Sequence, residues 1–138
     1  MRYEDLAVGQ SAERTRHVTD DVIRRYAEVT EDFNPVHVDE AYAARTRFGG
    51  RIAHGMLAGG FVSAVIGMDL PGPGAIWMSQ TLRFARPVMP GDTVTTRVEI
   101  VELVPEKRRA RLSTVCRNQK GETVLEGEAL IKMLEESG

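Results

Sequence analysis

HGMLAGGFVSAVIGM, residues His54 to Met68, contains no acidic or basic side chain after its opening histidine and is apolar nearly all round. A helix hydrophobic on every face must be buried on most of them, so the rest of the chain has to supply a wrapping. Glycine is a poor helix former. The small residues Gly55, Ala58, Gly59, Gly60, Ala64 and Gly67 therefore point to close approach by strands or by a ligand. Asp69-Leu-Pro71-Gly72-Pro73-Gly74 ends the helix.

Downstream, the pattern changes to strands. Ile76, Met78, Leu82 and Phe84 share one face with Gln80 interrupting them, and Pro87 and Pro90-Gly91-Asp92 close that run. Val94, Val98 and Ile100 mark the next strand, which reaches about Val104. Ala110, Leu112, Thr114 and Cys116 then alternate with polar residues, and a turn at Asn118-Gln-Lys-Gly121 leads to Leu125, Gly127, Ala129, Ile131 and Met133 on one face. These last elements form an antiparallel meander, and Glu135 to Gly138 reads as a frayed tail.

Upstream, Ser11 to Val18 suits a short edge strand. Thr19 as N-cap, Asp20 and Asp21 in the first turn and a stripe through Val22, Ile23, Tyr26 and Ala27 predict a helix over Asp20 to Thr30. Asn34-Pro35 disfavours helix at the residue before proline, so Asp32 to Val38 reads as a loop, followed by a short helix over Asp39 to Arg45 and a turn at Phe48-Gly49-Gly50. The order is strand, helices, one buried helix, then four long strands. That predicts an α+β fold of one domain, residues 1–138, with an antiparallel sheet wrapped around a single apolar helix.

Bulk properties narrow the function. A chain of 138 residues with 42% hydrophobic composition can bury a sizeable core, and a symmetric dimer is easily accommodated. A formal charge of −2 and a pI near 5.9 supply no broad cationic field, so nucleic acid is not an expected partner. One cysteine, Cys116, cannot close an internal disulfide, which favours a reducing compartment, the cytoplasm. The longest uncharged run, Ile52 to Met68, is shorter than a membrane span, and the start, MRYEDLAVGQ, lacks an apolar signal core.

Two polar clusters flank the entry to the apolar helix. Asp32 and His37 are five apart across an Asn34-Pro35 bend. A carboxylate and an imidazole converging on one point suit holding a water and moving its proton, although Asp-x-Asn-Pro is also ordinary turn chemistry. Gly55 opens the helix, where unpaired backbone N–H groups favour negative charge and can form an oxyanion hole. The plainer alternative is that Gly55 merely enters the helix while His54 packs or caps. Ser63 sits two turns further on, where a hydroxyl usually bonds back to a carbonyl. Neither Ser63 nor Ser79 lies in a nucleophile elbow. His37, Asp39 and His54 match no standard metal-ligand spacing, so no metal is expected. Cys116 reads as core and His17 as a solvated edge residue. Arg47, Arg51, Arg83 and Arg86 flank the region and could meet a phosphate-bearing ligand, or simply solubilise.

The run Asp32-Phe33-Asn34-Pro35-Val36-His37-Val38-Asp39, followed by Phe48 and Ile52-Ala53-His54-Gly55-Met56-Leu57, resembles the hydratase 2 motif of the MaoC-like, (R)-specific enoyl-CoA hydratases. Similarity continues through Ser79-Gln80-Thr81-Leu82-Arg83-Phe84, Pro87-Val88 and Pro90-Gly91-Asp92, covering most of the chain. The resemblance implies a hot-dog fold, in which a curved antiparallel sheet wraps a long helix, usually as a homodimer. It also implies reversible hydration of trans-2-enoyl thioesters to (R)-3-hydroxyacyl thioesters, in fatty acid metabolism, with no cofactor. By position it makes Asp32 and His37 the catalytic pair, with Gly55 donating its N–H to the thioester oxygen and Asn34, Ser63 and His54 on the substrate side. Two rivals keep the fold: an acyl-CoA thioesterase, and a non-catalytic acyl-thioester-binding subunit of a heteromeric dehydratase.

Overall fold

In a computed structural model of the chain, residues 1–135 are described; of the tail expected from Glu135 to Gly138, residues 136–138 lie outside them. The strands are β1 (Ser11–His17), β2 (Ala75–Gln80), β3 (Arg83–Phe84), β4 (Thr93–Val104), β5 (Arg109–Arg117) and β6 (Thr123–Met133). The helices are α1 (Asp20–Thr30), α2 (Pro35–Val38), α3 (Glu40–Ala44) and α4 (Gly55–Met68). All pairings are antiparallel, in the order β1-β4-β5-β6-β2, with β3 also on β6.

The sheet encloses α4 because its strands carry the predicted alternation. Along β5, and along β4 as far as Ile100, every second residue is buried, placing Val94, Val98, Ile100, Ala110, Leu112 and Cys116 against the helix. From α4, Val62, Val65 and Ile66 meet them, and Val62 and Val65 are wholly inaccessible. The opposite face of the sheet carries ion pairs such as Arg97–Glu99 at 2.9 Å and Arg111–Glu128 at 2.8 Å, which suits solvent.

Local detail refines these expectations. Helix α4 is buried on most faces, as expected, and Met56, Gly60, Ala64 and Met68 form its exposed stripe at four-residue spacing. The run from Ile76 to Phe84 divides into β2 and β3, with a register shift between Trp77 and Ser79. Gln80 leaves the alternation because its side chain reaches inward to the Thr114 hydroxyl at 2.9 Å. Asp32 to Val38 contains helix α2: the Asn34-Pro35 pair that stops α1 also starts a new turn, with Pro35 at the first helical position and the Asn34 side chain accepting the Val36 N–H at 3.2 Å.

Candidate active site

Helix α1 begins on Thr19, whose hydroxyl accepts the Val22 N–H at 3.2 Å, and ends where Glu31 adopts a left-handed conformation, φ 64°. The chain then turns sharply into Asp32. Its N–H is held by the Thr30 hydroxyl at 3.3 Å, and its carboxylate accepts the Asn34 N–H at 3.2 Å. One turn of α2 later, His37 points inward, 9% exposed. Its Nδ1 lies 2.7 Å from the Ile52 carbonyl, which can only accept, so Nδ1 carries the proton and Nε2 is left with a free lone pair in the neutral ring.

The segment 52–54 is fixed from both sides. The Ile52 N–H donates to the Val36 carbonyl at 3.2 Å, and the Ala53 N–H to the Val88 carbonyl at 2.7 Å. His54 follows, 4% exposed, and its Nε2–H donates to the Asp32 carbonyl at 2.9 Å. Its ring lies 3.9 Å from that of His37 and 4.6 Å from that of Tyr26, centre to centre. Burial holds the His54 imidazole below its ordinary pKa, the neighbouring His37 adding to the effect against the opposing pull of Asp32. Burial likewise raises the Tyr26 phenol, with Asp32 contributing, so the phenol keeps its proton.

Polar atoms of Asp32, His37 and His54 converge to within 4.8 Å of one another. They border an open recess of about 320 Å³ shared with Tyr26, Gly55, Met56 and Phe84. A second cavity of about 280 Å³ shares His37, His54, Gly55 and Phe84 and extends over an apolar floor that includes Ala58, Val88 and Leu125. Gly55 and Phe84 line both spaces. As the first residue of α4, Gly55 has an N–H without an intrahelical acceptor. A Cβ there would meet the Phe84 ring at 2.9 and 3.0 Å, so glycine is required for that close approach.

The arrangement offers a carboxylate and an imidazole lone pair for one water, opposite a backbone donor. As metal ligands the same groups are one short. The His54 Nε2 is engaged, and its Nδ1 is buried without a partner, leaving Asp32 and the His37 Nε2, fewer than the three protein ligands of a catalytic zinc. Asp39 instead caps α3 by accepting the Tyr42 N–H at 3.0 Å.

The structure thus brings Asp32, His37, His54 and Gly55 together, with Asn34 buttressing the loop. Ser63 lies two turns along α4, about 12 Å from Gly55 at 1.5 Å per residue, and lines neither space. Arg51 is occupied by Asp20 and Glu40, Arg83 by Glu126 and Arg86 by Glu122, while Arg47 lies over the Phe48 ring at 5.0 Å. Arg47 and Arg86 both line the 280 Å³ cavity with the apolar floor. Tyr26 and Phe84 carry no local signal for the site: Tyr26 fits the apolar stripe of α1, and Phe84 meets Gly55 through a contact distant in sequence.

Residues 6–124 match the family of the MaoC like domain. The chain belongs to that family. This MaoC-like chain is 50% identical over 133 residues to the 3-hydroxybutyryl-CoA dehydratase of Methylorubrum extorquens, covering 96% of the chain and 84% of that protein. It is 48% identical to the (R)-specific enoyl-CoA hydratase of Rhodospirillum rubrum, over 94% of the chain and 89% of the relative. Among solved structures, the unliganded R-hydratase PhaJ1 from Pseudomonas aeruginosa superposes with a TM-score of 0.91 at 49% identity, covering 97% of the chain and 86% of that structure. The MaoC-like chain accordingly has the hot-dog fold, its sheet wrapped around α4.

Proposed function

We propose that the chain is an (R)-specific enoyl-CoA hydratase, a hydro-lyase that reversibly adds water to trans-2-enoyl thioesters. The observation that carries this reading is the convergence of Asp32 and a His37 ring nitrogen within 4.8 Å, in a recess that Gly55 also lines. The thioester carbonyl accepts the Gly55 N–H. A water held by the Asp32 carboxylate and the His37 lone pair faces C3. The water oxygen bonds to C3 as the C2=C3 π pair moves toward the carbonyl, and charge collects where the amide donor and the start of α4 stabilise it. The proton released by the water is held by the Asp32–His37 pair and delivered to C2. Atoms and charge balance, and no electrons are exchanged with a cofactor. Asn34 keeps the loop in shape. Ser63 would meet substrate only where a long acyl chain follows α4.

The assembly is a homodimer in the cytoplasm, acting as one domain per chain. Support for pairing comes from the exposed stripe of α4 and from β2, a sheet-edge strand whose Ile76, Trp77 and Met78 remain accessible. No helix among the described residues is long and apolar enough to cross a membrane.

The test is direct. Crotonyl-CoA mixed with the protein should lose its conjugated absorbance without release of free thiol, giving the (R)-3-hydroxy product on chiral analysis. Asp32→Asn and His37→Gln should each lower kcat by about 10²-fold or more, the usual weight of an acid–base group. Thiol release without hydration would assign a thioesterase instead, and wild-type rates in either variant would remove the catalytic pair.

A further inference from the structure

His54 lines both spaces but is only 4% exposed, with one ring nitrogen engaged and the other buried. Its side chain makes no cap bond at the start of α4. One nitrogen donates to the Asp32 carbonyl at 2.9 Å, and the other, Nδ1, is buried with no partner. With Nε2–H spent on a carbonyl, the neutral ring leaves only a lone pair at Nδ1, an acceptor sealed from water. An orphaned buried acceptor is unfavourable, so packing alone would be better served by a phenyl ring. What the imidazole provides is the combination of a donor edge and a flat face: the edge holds the Asp32 backbone, the face lies against His37 at 3.9 Å, and the next residue in the chain is Gly55.

We propose that His54 is a positioning residue for hydration, a neutral imidazole that ties the backbone of Asp32 and the ring of His37 to the start of α4 and so sets the acid–base pair against the Gly55 donor. Without this tie, the nearest bonds from this loop to the segment before α4 are those of the Val36 carbonyl and the His37 ring to Ile52. Burial favours the uncharged ring beside His37, which preserves the stack and avoids placing a cation against the His37 and Tyr26 rings. The inference rests on the hydratase reading for its kinetic consequence, whereas its geometric content can be tested without turnover.

Two substitutions separate the parts. His54→Phe keeps a ring and removes the donor; His54→Gln keeps an amide donor near the Nε2 position and removes the ring. With crotonyl-CoA at 25 °C and folding verified by circular dichroism, His54→Phe should lose about 10²-fold in kcat, the scale of a misplaced catalytic group, while KM stays within about threefold. His54→Gln should recover about tenfold of that loss. In side-chain proton–nitrogen spectra, wild-type His54 should show a neutral ring protonated at Nε2 and His37 one protonated at Nδ1, and in His54→Phe the His37 ring should lose its single tautomer. A folded His54→Phe enzyme with kcat within threefold of wild type overturns the proposal, as does a loss confined to KM. If wild type does not hydrate crotonyl-CoA, the hydratase reading fails on its own. The spectra then decide the positioning role, and an Nδ1-protonated or charged His54 at pH 7 would end it.

Discussion

At the scale of single residues, two features of the site have consequences that stability and kinetics can read. The first is the seat of Phe84 on Gly55. A methyl group at 55 would press on the ring, not on backbone, and the ring is 54% exposed and free to swing. Gly55→Ala should therefore fold with a cost below about 1 kcal/mol, yet it displaces a side chain that lines both spaces and crowds the amide donor. We expect kcat/KM for crotonyl-CoA to fall at least about tenfold. The Gly55→Ala, Phe84→Ala double variant should recover part of that loss in a double-mutant cycle. The second is His54. Its folded pKa lies below the ordinary 6.5, so the unfolded chain binds the proton more readily. The stabilisation is complete above about pH 6.5 and is lost as pH falls toward the folded value. Urea midpoints measured from pH 7.5 to 5.5 should drop more steeply for wild type than for His54→Gln, and parallel curves would contradict the assignment.

At the scale of elements, the crossing between β2 and β3 decides how the sheet closes over α4. The Thr81 N–H donates to the Glu128 carbonyl at 2.9 Å, and the Thr81 hydroxyl accepts the Glu128 N–H at 3.0 Å, drawing this segment hard onto β6. Directly beneath lies Gly127, where a Cβ would collide with the Thr81 backbone carbonyl. Backbone cannot move aside as a side chain can. Gly127→Ala should destabilise by about 3 kcal/mol, the upper end of overpacking costs, read as a lowered urea midpoint. Since Phe84 follows in the same segment, the variant should also raise KM. The strand pattern around residue 127 places this glycine on the buried face, and nothing in that pattern reveals that another strand's backbone passes over it.

At the scale of the molecule, the two edges of the sheet differ in chemistry. Strand β1, SAERTRH, is almost wholly exposed and charged, an edge protected against pairing. Strand β2 at the other end presents Ile76, Trp77 and Met78, and α4 adds an uncovered stripe of its own. A second copy is the partner that the homodimer proposal assigns to this surface. Ala64 is exposed on α4 and can carry a long side chain in an isolated chain. Ala64→Arg should therefore leave the fold intact and shift the sedimentation mass from the dimer toward the 15.3 kDa chain. A monomeric wild type would refute the dimer.

The chain's own order of residues determined the elements and most of their faces, because those depend on contacts one or two turns away. Thr19 capping α1, the alternation along β4 and β5, and the apolar run of α4 are local facts that survive folding unchanged. So were the residues to which the proposed function gives the reacting roles legible: Asp32, His37 after the Asn34-Pro35 bend, and the glycine that opens α4. The small helix α2 escaped notice because Asn-Pro both ends one helix and begins another, and local sequence does not say which it does. Tertiary structure alone decided the rest: that His54 turns its donor to Asp32, that Phe84 requires a glycine at 55, that Thr81 requires one at 127, and that one side of α4 stays open. Each of these joins residues far apart in the chain, and such contacts are set by how the sheet curves around the helix.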